Sequence, residues 1–359
     1  AGSADAGGLT GRNLIINGAM QVAQRSTSVT GIGEANGFFT VDRWQIFQGG
    51  STSGRLTQSQ ASVTDLAGFP NSLKHEVTTA DTSIAAGELL QISQTFEGQN
   101  LQALKKGYSD ASSFTVSFYV KGTAKTYVVE MYDGDNNRHV AQTFSVTSSW
   151  SRVELTFPAD TTGKFDDDNG LSLYLIIWLH AGSTYTSGTL PSTWASATNA
   201  NRAVGAGSLF SATSNTFEIT GAQLEVGEKA TPFEHRSFGD ELARCQRYYE
   251  KSYAYSVAPG TAASYPGNIG LTVRGQDEET SGQRYFTQTI RVEKRGSPTN
   301  TFYDDAGNSG KVTTFDSGGT PTNNVSIGLV VAQNSMIGCG PGNSAIWGYS
   351  FFYESDAEL

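Results

Sequence analysis

The sequence predicts an all-β chain of two antiparallel β-sandwich, jelly-roll-like domains joined by a short helix. Apolar and polar residues alternate over several short stretches, the period of a half-buried strand. Clusters of Gly, Asp, Asn, Ser and Thr punctuate those stretches at turn spacing. The length, 359 residues, suits two sandwich-sized domains better than one.

From Asn13 to Phe233 strand signals dominate. In Phe114–Val120 (FTVSFYV), Phe114, Val116, Phe118 and Val120 share one face, and Thr115, Ser117 and Tyr119 the other. Thr126–Tyr132 (TYVVEMY) repeats the scheme with Tyr127, Val129 and Met131, and Trp150–Phe157 repeats it with Val153, Leu155 and Phe157. Leu171–Leu179 (LSLYLIIWL) starts by alternating and then becomes apolar on both faces, which places it across the middle of a sandwich. Asn215–Glu225 alternates until Gly221-Ala222, where a bulge or kink is expected. A short helix is expected at Gln99–Tyr108, with Leu101, Leu104 and Tyr108 at helical spacing.

At Ser237 the pattern changes. Ser237–Lys251 opens with Ser-x-x-Asp and sets Leu242, Cys245 and Tyr249 on one helical face. Strands return at Gly270–Val273, Tyr285–Val292, Ser326–Val331 and Ile346–Tyr353. The expected organisation is therefore a flexible tether over 1–12, a jelly roll over 13–236, a linker helix over 237–252 and a smaller β-sandwich over 253–359. This N-terminal stretch, which lacks the basic and apolar regions of a signal peptide, reads as a tether or a trimmed leader.

Composition narrows the function. With 37% hydrophobic residues, 19 Phe, 15 Tyr and 5 Trp, the chain can fill large cores and is not a disordered one. A net charge of −10 without a Lys/Arg cluster argues against nucleic acid as a partner. No long apolar run suggests membrane insertion. Cys245 and Cys339 are too few for a disulfide framework and read as reduced, packed thiols.

Enzymatic signatures fail at identifiable residues. Asp316-Ser317-Gly318-Gly319 resembles a serine-protease nucleophile segment, but Phe315 stands where Gly belongs, and a turn is the better reading. Asp133-x-Asp135-x-Asn137 opens like a calcium loop, but Arg138 and Phe144 occupy the positions that require Gly and Glu, which leaves a hairpin turn. Asp166, Asp167 and Asp168 could hold a hard cation, against the competing reading of a solvated loop. His75, His139, His180 and His235 show no metal spacing. No catalytic residue is assigned, and an enzyme is not expected. Two carboxylates brought together by the fold would be all that a glycosidase needs. More suggestive are Trp178, Tyr185 and Trp194, aromatic rings in or beside a Gly/Ser/Thr-rich loop that could stack on sugar rings. The alternative places Trp178 in the core and the other two as caps of the sandwich edge.

Three segments carry a resemblance. Asn13-Leu-Ile-Ile-Asn-Gly-Ala-Met20 with Asp42-Arg43-Trp44 resembles the opening of phage tail-fibre and virion appendage proteins. Ile219–Gly227 with Ala230–Ser237 resembles the closing strand of their jelly-roll domain, and Glu241–Tyr249 the helix that follows. The ending Asp356-Ala-Glu-Leu359 fits as well. The resemblance implies a virion protein on the exterior of a phage particle, in a tail fibre or a capsid decoration, with other virion proteins and host cell-surface glycan as partners. A homotrimer is implied by the threefold habit of phage fibres, with Tyr248 or Tyr249 turned toward a neighbouring subunit. The competing functions are a phage-borne polysaccharide depolymerase and a ligand-free capsid cement or knob protein. The first domain is also similar in pattern to jelly-roll carbohydrate-binding modules. Such modules sometimes hold a structural calcium ion, for which Asn17, Asp42 and Glu225 are the oxygen candidates here.

Overall fold

A computed structural model describes residues 11–262, 267–272, 286–316, 318–332, 336–341 and 348–359. Most of the expected tether and the expected strand starts at Tyr285 and Ile346 lie outside the described residues. The chain divides into two compact units: Ala1–Ala23 with Thr27–Glu241 and Leu359, and Gln24–Ser26 with Leu242–Glu358.

The strands of unit 1 are β1 (Ser28–Ile32), β2 (Ala35–Gly37), β3 (Gln45–Gly49), β4 (Arg55–Ser62), β5 (Asn71–Thr79), β6 (Leu89–Glu97), β7 (Phe114–Gly122), β8 (Lys125–Asp133), β9 (Arg138–Val146), β10 (Ser151–Phe157), β11 (Leu171–Ala181), β12 (Ala195–Ser196) and β13 (Thr216–Val226). They form two sheets, a six-stranded one in the order β1-β4-β5-β13-β7-β10 and a seven-stranded one in the order β12-β9-β8-β11-β6-β3-β2. All their pairings are antiparallel. The inward residues of both sheets meet in one core. Leu73, Val77, Phe118, Val120, Phe217 and Ile219 come from the first sheet, and Ile92, Tyr127, Val129, Met131, Leu175 and Ile177 from the second. This is the sandwich that alternation requires, because each sheet has one apolar face to bury.

Local expectations meet the structure in different ways. The bulge in β13 lies between Thr220 and Gln223, where its register against β7 shifts. Gly221 there has φ +61°, and a Cβ would come within 2.8 Å of the Phe69 ring, so both the backbone and the space call for glycine. The turn expected after Tyr132 closes the β8–β9 hairpin, with Asp133 accepting the Asn136 N–H at 3.0 Å. The helix expected at Gln99–Tyr108 is instead two 3-10 turns, Gly98–Asn100 and Gln102–Leu104. Left-handed backbone at Lys105 (φ 50°) and Gly107 (φ +81°) stops it from propagating.

Among the described residues two helices have α geometry, α1 (Ser183–Thr186) and α2 (Phe238–Gln246). As its Ser-x-x-Asp start suggests, α2 is capped by Ser237, whose Oγ accepts the Asp240 N–H at 3.2 Å and donates to the Asp240 carboxylate at 2.7 Å. It is shorter than expected. Tyr249–Lys251 leaves the helix and becomes β14, paired with the terminal strand through Tyr249↔Asp356. Strand pairing, which suits adjacent aromatics, claims the backbone that the helical pattern would have used.

That change corrects the expectation for Tyr248 and Tyr249. Both are buried within the chain itself, so neither offers a ring to a neighbouring subunit. The Tyr249 hydroxyl donates to Glu354 at 2.8 Å, and the Arg25 guanidinium lies 3.6 Å above its ring. Cys245 is fully buried.

Unit 2 continues with β15 (Ile269–Thr272), β16 (Phe286–Thr289), β17 (Thr299–Tyr303), β18 (Lys311–Phe315), β19 (Pro321–Ala332), β20 (Met336–Pro341) and β21 (Gly348–Asp356). It is organised on β21, which pairs with β14 and β17 at its end and with β15 and β18 at its start. Ile290, Phe302, Val312, Tyr349, Phe351 and Tyr353 form its core. The Asp316 segment is a turn between β18 and β19, its carboxylate accepting the Gly318 and Thr320 N–H groups.

His75, on β5, is fully buried and its Nε2 lies 3.0 Å from the Gln58 amide nitrogen, an arrangement that needs Nε2 unprotonated. Burial pushes its pKa down to about 3 from the usual 6.5. A folded-state pKa below the unfolded one means that the neutral ring's contribution is fully present above about pH 6.5 and is lost as pH falls toward 3. The urea midpoint of the protein is expected to drop between pH 7 and pH 4, with His75 supplying at most about 1.4 kcal/mol per pH unit. In His75→Gln that pH dependence should flatten, and equal slopes in the two proteins would assign it to other groups.

Candidate functional site

The two outer faces of the unit 1 sandwich differ in chemistry. On the six-stranded sheet, paired charges stand in water: Lys74 with Glu76 at 2.7 Å, Lys121 with Asp65 at 2.9 Å and Arg152 with Glu154 at 2.9 Å. This is an ordinary solvated face. The seven-stranded sheet shows another pattern. Its register lines up Thr95, Tyr174, Tyr132 and His139 in one row, Gln45, Ser93, Ile176, Glu130 and Ala141 in the next, and Asn36, Phe47, Gln91, Trp178 and Val128 in a third.

Part of this face is roofed. The segment 182–207, which contains α1, folds back over it, and Leu89, Val128, Ala141, Ile176, Trp178 and Ala203 make a second, smaller apolar cluster beneath. Tyr185 lies on Trp178 with ring centroids 5.1 Å apart. Arg202 reaches Glu130 through Nε at 2.9 Å and Nη2 at 3.0 Å, and its guanidinium sits 5.0 Å from the Tyr132 ring centre and 5.2 Å from that of Trp178. Glu130, fully buried, also accepts the Trp178 indole N–H at 2.8 Å and contacts His139 Nδ1 at 2.8 Å. Burial works against the charge on Glu130, but the His139 hydrogen bond and the Arg202 charge outweigh it and hold the carboxyl below its usual pKa. The buried carboxylate thus binds the roof to the sheet.

Outside the roof, the strip from Tyr132 and Tyr174 to Phe47 stays partly open. Phe47 is 38% exposed, Tyr132 and Tyr174 are half-buried, and their ring centroids lie 5.6 Å apart in an edge-to-face pair. Burial, then the neighbouring Tyr132, raises the Tyr174 pKa above the usual phenol value, so its hydroxyl stays protonated. Between these rings lie Ser93 and Gln91, both buried, and the half-buried Gln45, whose amide donates to the exposed Asn36 at 2.7 Å. Tyr174 and Phe47 are four residues apart along β6 and two strands apart across it, about 13 Å by about 10 Å.

The residues singled out from sequence fall in different places. Trp178 is fully buried beneath Tyr185 and Arg202, leaving no open ring face. Trp194 packs into the main core near Phe114 and donates its indole N–H to the Pro158 carbonyl at 2.9 Å. Tyr185 stays partly exposed at the margin of the strip. Sequence reading passed over Tyr132, Tyr174 and Phe47, although the first two occupy the off-core parity of their own strands. That parity was the available signal.

Asn17, Asp42 and Glu225, the calcium candidates, are all buried. Glu225 is surrounded by donors: the Thr231 N–H at 2.8 Å, the Thr231 hydroxyl at 2.7 Å, the Gln223 amide at 2.8 Å and the Arg12 guanidinium at 3.8 Å. The Asn17 amide nitrogen donates to the Asp42 carbonyl at 2.9 Å, and its oxygen accepts the Val22 N–H. The donors around Glu225 compensate its charge, and the Asn17 amide is committed to the backbone at both ends. Asp166, Asp167 and Asp168 are exposed in their loop, and no group of three or more His, Cys, Asp or Glu side chains among the described residues is arranged to hold a metal ion.

No family model matches the sequence, and no curated protein matches it. Solved structures similar to it include one described as "CBM4 structure and function" (15% identity, 58% of this chain and 97% of that one, TM-score 0.32). Another is a family 11 carbohydrate-binding module of a cellulosomal cellulase of Clostridium thermocellum (14%, 58% and 99%, TM-score 0.29). A tandem CBM22-1–CBM22-2 domain of Paenibacillus barcinonensis Xyn10C is also similar (11%, 94% and 92%, TM-score 0.26). TM-scores of this size carry no functional argument.

Removing the Arg202 guanidinium leaves the Glu130 charge buried without its cation. Arg202→Ala is expected to destabilise unit 1 by about 3 kcal/mol and to open 182–207 to limited chymotrypsin cleavage while far-UV circular dichroism stays unchanged. Unaltered cleavage would show that the apolar cluster holds the roof by itself.

Proposed function

We propose that unit 1 is a glycan-binding module whose contact surface is the open strip on the outer face of the seven-stranded sheet. The observation that carries this reading is the set of partly open rings, Phe47, Tyr132 and Tyr174, with Asn36 and Gln45 beside them and the buried Gln91 and Ser93 between them. Sugar rings present apolar C–H faces that stack on aromatic rings, and their hydroxyls pair with side-chain amides. A sheet face suits the task because its side chains stand on a fixed backbone and little order is lost on binding.

The strip favours binding over cleavage. Glycoside hydrolysis uses a pair of carboxyl groups flanking the scissile bond. The carboxylate on this strip's rows is Glu130, which is buried and committed to Arg202, His139 and Trp178.

The resemblance of 13–20, 42–44, 219–237 and 241–249 to phage appendage proteins supports a place for the module on the exterior of a virion, among other virion proteins and facing host-surface glycan. The same resemblance supports threefold assembly.

Affinity electrophoresis of the full chain through gels containing polysaccharides is the direct test. Retardation is expected, with Tyr174→Ala and Phe47→Ala each weakening it about tenfold, near 1.4 kcal/mol, and Lys74→Ala on the opposite sheet leaving it unchanged. Retardation indifferent to Tyr174 and Phe47 would remove the strip from the interaction. New reducing ends after incubation with host capsule or lipopolysaccharide would indicate a depolymerase. Silence toward glycans with tight binding to emptied particles would indicate a cement protein, and immunogold labelling of intact particles would test the virion location.

A further inference from the structure

We infer that the strip selects uncharged glycan chains and rejects those bearing carboxylate, sulfate or phosphate groups; this rests on the glycan-binding reading above. The polar groups that reach its surface, Asn36, Gln45 and the Tyr174 hydroxyl, are neutral donors and acceptors suited to sugar hydroxyls, and the Tyr132 hydroxyl, which donates to Asn137 at 2.9 Å, can still accept. The cation beside it, Arg202, is already matched by two bonds to Glu130 and adds no net charge. An anionic sugar would have to compete with a buried carboxylate for that guanidinium.

The surroundings reinforce the selection. At the tyrosine end, Gly134 of the β8–β9 turn lies against the Tyr174 ring. Beside it the exposed Asp135 accepts the Asp166 N–H at 3.0 Å, which sets Asp166, Asp167 and Asp168 close to that turn. At the other end Glu34 bonds the Ser51 N–H just past β3. Each end of the strip therefore carries exposed carboxylate, with the Arg55 guanidinium against Gly33 beside Glu34 at the second, on a chain whose net charge is already −10. Like charges at the two ends raise the cost of bringing an anionic chain to the face, most strongly at low salt.

Matched polymers isolate charge from backbone shape. The full chain is run through gels of hydroxyethyl cellulose against carboxymethyl cellulose, and of methyl-esterified against de-esterified homogalacturonan, at low and at physiological ionic strength. The expected result is retardation by a neutral member at least tenfold stronger than by its charged partner, with the gap narrowing as salt rises. Replacing Asp166, Asp167 and Asp168 together by Asn, in an exposed loop, should narrow the gap at low salt without weakening neutral binding. Equal or stronger binding of a charged member that is lost in Tyr174→Ala would overturn this inference and leave the glycan reading standing. Binding of neither member of either pair, nor of any other neutral polysaccharide, would remove both.

Discussion

A strand that is apolar on both faces has to be covered on both, and β11 places that condition on unit 1. Its inward row, Leu173, Leu175, Ile177 and Leu179, needs the opposing six-stranded sheet. Its outward residues Ile176 and Trp178 need something else, since the far side of a two-sheet sandwich would otherwise face water. The segment 182–207 answers that need. It leaves β11, turns through α1 and returns over the same strand, so the chain supplies its own second layer where the sheet is most apolar.

The roof in turn requires a polar anchor. An apolar cluster of this size contributes through area alone, without fixing direction, whereas the bidentate contact between Arg202 and Glu130 fixes the position of the returning segment. Burying Glu130 costs desolvation, which is offset because Arg202, Trp178 and His139 surround the carboxylate together. The same contacts leave only part of the outer face accessible. Tyr132 and Tyr174 emerge at the border of the roof, and Phe47 stands beyond it on β3, so the open strip is a consequence of where the covering segment stops.

Unit 2 solves its packing differently, by making one strand the shared partner. Tyr349, Phe351 and Tyr353 of β21 supply half of its buried core, and buried Glu250 gathers the Tyr353 hydroxyl at 2.8 Å and the Lys294 ammonium at 2.9 Å. Desolvation lowers the Lys294 pKa while Glu250 opposes that shift, so the pair is stable only while both members are present. The pairing of β14 with β21 is also what ends α2 at Gln246 and turns Tyr248 and Tyr249 inward.

What the sequence by itself determined was periodic and local. Alternation in 114–120, 126–132 and 150–157 identified strands and their core faces, Asp133–Asn137 its turn, Gly221 its bulge and Ser237 its helix start, because each follows from backbone geometry and a few neighbouring residues. The tertiary structure alone decided which outward residues meet water. Trp178 and Tyr174 share one strand and one parity, yet the first is fully roofed and the second only partly covered, because the covering segment is aligned by a contact between residues 72 positions apart. It also decided that Tyr249 belongs to a strand, since its partner Asp356 lies 107 positions away (356 − 249). Periodicity assigns a face to a residue, but long-range pairing decides what covers that face.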